Sequence, residues 1–167
     1  MALHLRDFVL ADKSIPSSLA WVPIGRNYLS WISPLDIDSV TVAGLQLHVG
    51  ANLTLPDEAV RAQLEYHPPK GKSEQLVRVE WRPLADHNNK GRGPSEHRFK
   101  PFRQTHTHPF EMNWDEAKQR MRSGNLPIAI SIQDVDSYEK FLDLCAAELR
   151  INNMSVVPLP PWHPRMI

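Results

Sequence analysis

Apolar and polar residues change period along this chain, and the period locates its elements. From Ile37 the spacing is two, with Val40 and Val42 alternating against Ser39 and Thr41. Beyond Ala43-Gly44 the alternation resumes on Leu45, Leu47 and Val49, against Gln46 and His48. The one-residue slip between them predicts a β-bulge or a tight turn. Val60, Ala62, Leu64 and Tyr66 alternate with Arg61, Gln63, Glu65 and His67, which predicts a half-buried strand. A helix starting near Pro56-Asp57-Glu58 is the competing assignment. After the turn residues 68–73, Val77, Val79 and Trp81 alternate with Arg78, Glu80 and Arg82. The two runs predict a hairpin, and with 37–49 an antiparallel meander. Residues 84–103 form a long polar segment of the kind that is functional or mobile in compact domains. A short strand over 105–108 closes it.

The period then lengthens. Asn113 is placed as an N-cap, with Asp115 in the first turn, Glu116 at the capping-box position and Gly124 as the stop, which predicts a helix. Leu126–Ile132 reads as a buried strand. A second helix starts from Asp136 as N-cap, with Tyr138, Phe141, Leu142, Cys145 and Leu149 on one face. Residues 1–36 are irregular. Leu3, Leu5, Phe8, Val9 and Leu10 make a short first element. Pro16, Pro23 and Pro34 break the remainder of that segment into short pieces, and Trp21, Tyr28, Trp31 and Ile32 are core or covering residues. Residues 151–167 are a Pro-rich tail, extended by its prolines, with Trp162 as an anchor that straps it over the domain. The whole predicts an α+β fold in one domain (1–167), an antiparallel meander over 37–110 with two C-terminal helices, within 111–150, packed on one face.

Composition narrows the classes. The chain has 167 residues, of which 41% are apolar, enough for a core, and a single cysteine, which excludes a disulfide framework. Cys145 on the apolar helix face reads as a reduced core thiol. The N-terminus carries no basic-then-apolar pattern and no apolar run is long enough to cross a bilayer, so the expected location is cytoplasmic, with no membrane partner. Lys+Arg and Asp+Glu are 19 each, which argues against a globally basic nucleic-acid binder. The neutral total hides an asymmetry. Between Arg82 and His108 six cations face two carboxylates, a formal +4, and five of the eight histidines lie between 67 and 108.

That basic, histidine-rich stretch is where the candidate chemistry lies. On a strand, His106 and His108 of Thr105-His106-Thr107-His108 point to one face about 7 Å apart. Two such imidazoles can hold a divalent metal, with His87, His97, Asp86 or Glu80 as a third ligand. They can also divide general-acid and general-base work without a metal, His87 assisting. Arg82, Arg92 and Arg103, with Lys90 and Asn88 in the turn 86–93, are the candidate phosphate-binding residues. The plain alternative is a polar strand face with hydrogen-bonded histidines above an exposed loop. Arg78, Glu80 and Arg82, facing Glu65, Gln63 and Arg61, predict a cross-strand charge ladder, or else the floor of the histidine site.

Arg78-Val79-Glu80-Trp81-Arg82-Pro83, then His87-Asn88, His106-Thr107-His108-Pro109, Asn125-Leu126-Pro127 and a closing Pro-Pro-Trp form a pattern over roughly 60–165. It resembles small bacterial proteins of toxin–antitoxin and mobile-element settings, and the resemblance implies a cytoplasmic protein with RNA or nucleotide chemistry. Three functions are expected from these readings. The first is a phosphodiesterase-like or ribonuclease-like hydrolase of an RNA or nucleotide substrate, built on the His/Arg cluster. The second is a non-catalytic antitoxin, inhibitor or adaptor that binds a protein from its own operon through the Trp/Pro-rich termini. The third is a module that binds a metal or small ligand.

Overall fold

Nine strands and three helices make up the fold, seen in a computed structural model that describes residues 4–164. In chain order the strands are β1 (Val22–Ile24), β2 (Tyr28–Ile37), β3 (Val40–Asn52), β4 (Val60–Tyr66), β5 (Glu74–Trp81), β6 (His106–His108), β7 (Trp114–Asp115), β8 (Arg120–Met121) and β9 (Ile130–Ser131). The helices are α1 (Leu5–Leu10), α2 (Phe110–Asn113) and α3 (Tyr138–Leu149). Seven of the strands form one sheet in the order β1-β2-β3-β4-β5-β6-β9, in which every neighbouring pair is antiparallel. Strands β7 and β8 pair as a separate two-stranded ribbon. The fold is therefore α+β, an antiparallel meander with two helices towards the C-terminus.

Alternation gives the sheet two unlike faces. Leu29, Trp31 and Leu35 of β2, Leu45, Leu47 and Val49 of β3, Val60, Ala62 and Leu64 of β4, and Val77, Val79 and Trp81 of β5 are buried in one core with Phe8 of α1 and Phe141, Leu142, Cys145 and Leu149 of α3. Trp81 stacks on Phe141 with ring centroids 5.4 Å apart, and its indole N–H donates to the Val135 carbonyl. Cys145 is fully buried, and burial raises its thiol well above the ordinary value, as expected of a core thiol. The opposite face carries polar side chains from consecutive strands: Ser30, His48, Gln63, Glu65, Arg78, Glu80, His106 and His108.

Several boundaries differ from the sequence expectation. The sheet begins at Val22 rather than at 37, because β2 runs through the proline-broken segment and pairs with β3 along most of its length. Pro34 is accommodated beside a bulge, where one β2 residue, Leu35, faces the four residues from Val42 to Leu45. This is the slip at Ala43-Gly44. Trp31 is fully buried as expected, whereas Ile32 is 44% exposed on the polar face. The helix placed after Asn113 does not form. Helix α2 ends there, and the Asn113 side chain is committed to distant backbone, donating to Pro109 and Ile128 carbonyls and accepting from the Ile128 N–H. Glu116 accepts from the Trp114 indole and from Arg6 instead of closing a capping box. Helix α3 is capped by Ser137, one residue later than Asp136, which pairs with Lys140. The strand expected over 126–132 is reduced to two paired residues preceded by buried residues 126–129, of which Leu126 has a positive φ. Leu3 of the first element lies outside the described residues.

Candidate metal centre

The site lies on the polar face at the β5–β6–β9 end. The register sets Arg78 opposite His108 and Glu80 opposite His106, so strand pairing alone brings an acidic residue between two imidazoles. Two irregular segments cover them. The long loop is pinned at its neck, where His87 and Phe102 exchange both backbone hydrogen bonds (2.8 and 3.0 Å), and this delivers the His87 ring over the strand. The segment around Leu126 and Pro127 closes the other side. His106 and His108 are 0% and 1% exposed as a result.

One ring nitrogen from each of His87, His106 and His108 lies within 4.8 Å of the others, and three is the number of protein ligands found in catalytic zinc sites. Each ring is also held by backbone or side-chain acceptors. His106 Nδ1–H donates to the Gln104 carbonyl (2.8 Å) and His108 Nδ1–H to the Leu126 carbonyl (2.6 Å), which turns both Nε2 atoms towards Glu80 and towards each other. His87 Nε2–H donates to Asn89 Oδ1 (2.8 Å) and the Pro127 carbonyl (3.1 Å). The orientation of Asn89 is itself set by paired bonds with the backbone of Ala129. Acceptors of this kind orient metal-ligating histidines.

Glu80 completes the group. Its Oε2 lies 2.7 Å from His106 Nε2 and 3.6 Å from His108 Nε2, and the two Nε2 atoms are 3.1 Å apart. Two ring nitrogens and a carboxylate oxygen converge, so a proton or a metal cation must sit among them to offset their repulsion. Burial would raise the Glu80 carboxyl, but hydrogen bonding to His106 and His108 outweighs it and holds Glu80 well below the usual carboxylate range. Burial pulls His108 down to about 4 against the opposing pull of Glu80. It also lowers His87, against the Asn89 hydrogen bond. His87 and His108 are therefore neutral at pH 7, the form that binds metal.

Of the residues expected to bind phosphate, none joins this group. Arg82 pairs with Asp134 (2.9 Å) and lies over the Trp81 ring, and with Arg103 it lines a different cleft. Arg103 pairs with Asp86 (2.8 Å). Arg92 donates to the Asn89 carbonyl, and Lys90 and Asn88 form an exposed turn in which Asn88 accepts from the Lys90 N–H. Asp86 and His97 are likewise outside, His97 resting on Phe102 and Ser131. The ladder is half formed. Arg78 donates to Gln63 and Gln63 to Glu65, while Glu80 turns to the histidines. Sequence reasoning missed Asn89, fully buried and central to the placement of His87. Its partner is 40 residues away, and nothing in its neighbourhood separates it from Asn88.

A cleft of about 320 Å³ opens beside the centre, bounded by Tyr28, Gly50, Arg61, Glu80, Leu84 and His87. Comparison with protein-family models, with curated proteins and with solved structures finds no match to this chain.

Proposed function

We propose that the protein binds one divalent transition-metal ion of the zinc class on His87, His106 and His108 and uses it to hydrolyse a small substrate held in the adjoining cleft. The observation that carries this reading is the convergence of three hydrogen-bonded imidazoles within 4.8 Å, two of them wholly buried, beside an ionised carboxylate. Imidazole ligands suit zinc, nickel, copper and iron, and three protein ligands leave a coordination position for water. A metal in that position lowers the pKa of its water towards neutrality. Glu80 is within reach of the same atoms and 21% exposed towards the cleft, so it is placed to accept the proton of the attacking water and return it to the leaving group. The bonds from His106 and His108 Nδ1–H to fixed carbonyls keep both Nε2 atoms aimed at such an ion.

The test is metal content by plasma mass spectrometry, after incubation with zinc, manganese, nickel or iron and removal of the excess. About one metal per chain is expected in the parent protein and none in a His106→Ala/His108→Ala double variant. Because those two side chains are buried, the half-buried His87→Ala serves as a second variant, which keeps the fold and loses at least tenfold in metal affinity. A parent protein that takes up no metal under any of these conditions overturns the reading.

A further inference from the structure

Arg61 stands directly opposite Glu80 in the β4–β5 register, on the polar face. Such a pair normally closes as a salt bridge. Here Glu80 is turned away to His106 and His108, and Arg61 makes no hydrogen bond or ion pair among the described residues. The other carboxylate bounding the cleft, Asp86, is bonded to Arg103 at 2.8 Å. Arg61 is thus the one charged side chain among the described residues lining the cleft that has no hydrogen-bond or ion-pair partner, and it is exposed.

The rest of the wall fits a ligand that is charged at one end only. Gly50, on the far side of Arg61, has no side chain, and the Tyr28 hydroxyl occupies the space where a Cβ would stand. A phenol donor and a guanidinium therefore flank one end of the cleft. Pro83 and Leu84 supply apolar wall, with Leu84 57% exposed. The histidine centre lies at the other end, two strands from Arg61, or about 10 Å between Cα atoms at the usual strand spacing. At about 320 Å³ the cleft is at the small end of ligand sites.

We propose that Arg61 is the specificity-determining residue of this cleft, and that the substrate is a small molecule carrying an oxyanion, a carboxylate or a phosphate monoester, docked on Arg61 while its reacting bond faces the histidine centre. This rests on the metal-centre reading for the reacting end but not for the docking end. Guanidinium suits both oxyanions, because its paired N–H donors match two oxygens at once.

Phenyl phosphate, benzoate and the uncharged benzamide are titrated calorimetrically into the full chain, both metal-free and zinc-loaded. Arg61→Ala and Arg61→Lys are compared with the parent, and zinc affinity and melting temperature are recorded for each. The expected result is binding of one or both anions in preference to benzamide, weakened about 10- to 100-fold by Arg61→Ala and less by Arg61→Lys, with zinc affinity and melting temperature unchanged. Which anion binds more tightly identifies the phosphate or carboxylate class. No anion binding, or anion binding that is the same in Arg61→Ala, overturns the proposal even if zinc binds normally. Failure of the parent to bind zinc overturns the metal reading alone, and the metal-free titrations then decide the docking end.

Discussion

Glu65 shows what a carboxylate needs in order to remain charged on a covered sheet face. Its Oε1 accepts from Gln63 (3.0 Å) and faces His48 Nδ1 (2.9 Å), and its Oε2 faces His67 Nε2 (3.0 Å). Burial pushes its pKa up, but the bonds to His48, His67 and Gln63 overcome this and bring it down to about 2 from 4.5. The folded state therefore holds this proton less tightly than the unfolded chain. The stabilisation is complete above pH 4.5 and is lost as the pH falls from there to about 2. A shift of that size corresponds to roughly 3 kcal/mol. Urea midpoints measured across that range are expected to fall steeply for the parent and less steeply for Glu65→Gln. Equal slopes would mean that the two histidines do not hold the charge. The same scale separates what sequence reveals from what it does not. His106 and His108 announce themselves by adjacency on a strand, and Glu80 and His87 could be named as their candidate partners. Asn89 could not, because its role depends on bonds to Ala129 that only the folded chain creates.

At the scale of elements, Gly44 decides the shape of the longest strand. It sits in the bulge of β3 at φ +84°, its carbonyl accepts from the His67 N–H (2.8 Å), and a Cβ added to it would collide with the His67 carbonyl oxygen. Both the backbone conformation and the contact exclude a side chain. Gly44→Ala is expected to cost about 3 kcal/mol by chemical denaturation, whereas Gly25→Ala, at φ +68° with nothing within 4 Å, is expected to cost about 1 kcal/mol. Similar losses at the two positions would show that strain alone, without the collision, sets the cost. The strands β3, β4 and β5 are legible because one of their faces is apolar and the other polar, which is what alternation reports. Strand β2 is less so, because Ser33 is fully buried among its apolar positions and Ile32 is exposed among its polar ones. The false helix after Asn113 has the same origin. Capping residues carry no label for the partner they will find, and Asn113 and Glu116 find theirs in distant segments.

For the molecule as a whole, the segment 157–163 is tied to elements spread along the chain. The Pro158 carbonyl accepts from both the Trp21 indole (2.7 Å) and the Tyr138 hydroxyl (3.1 Å). Trp162 packs edge-on against Tyr138, and the His163 N–H donates to the Leu53 carbonyl (2.9 Å). Val157 is 1% exposed. A chain ending at Ser155 is expected to lose about 4 kcal/mol of stability in isolation, through lost apolar burial and the two stranded donors. An unchanged melting temperature would instead free the tail for a partner. No helix among the described residues is long and apolar enough to cross a membrane. The sheet does not close on itself, so it has two borders, and both are curtailed. Strand β1 has three residues, and the middle one is Pro23, which has no N–H to offer. Strand β9, at the other border, has only two residues. A foreign strand approaching β1 or β9 itself would find too few free donors and acceptors to build a ladder there. These two borders thus offer its own copies little to extend into a continuous sheet, a hazard that every open meander carries.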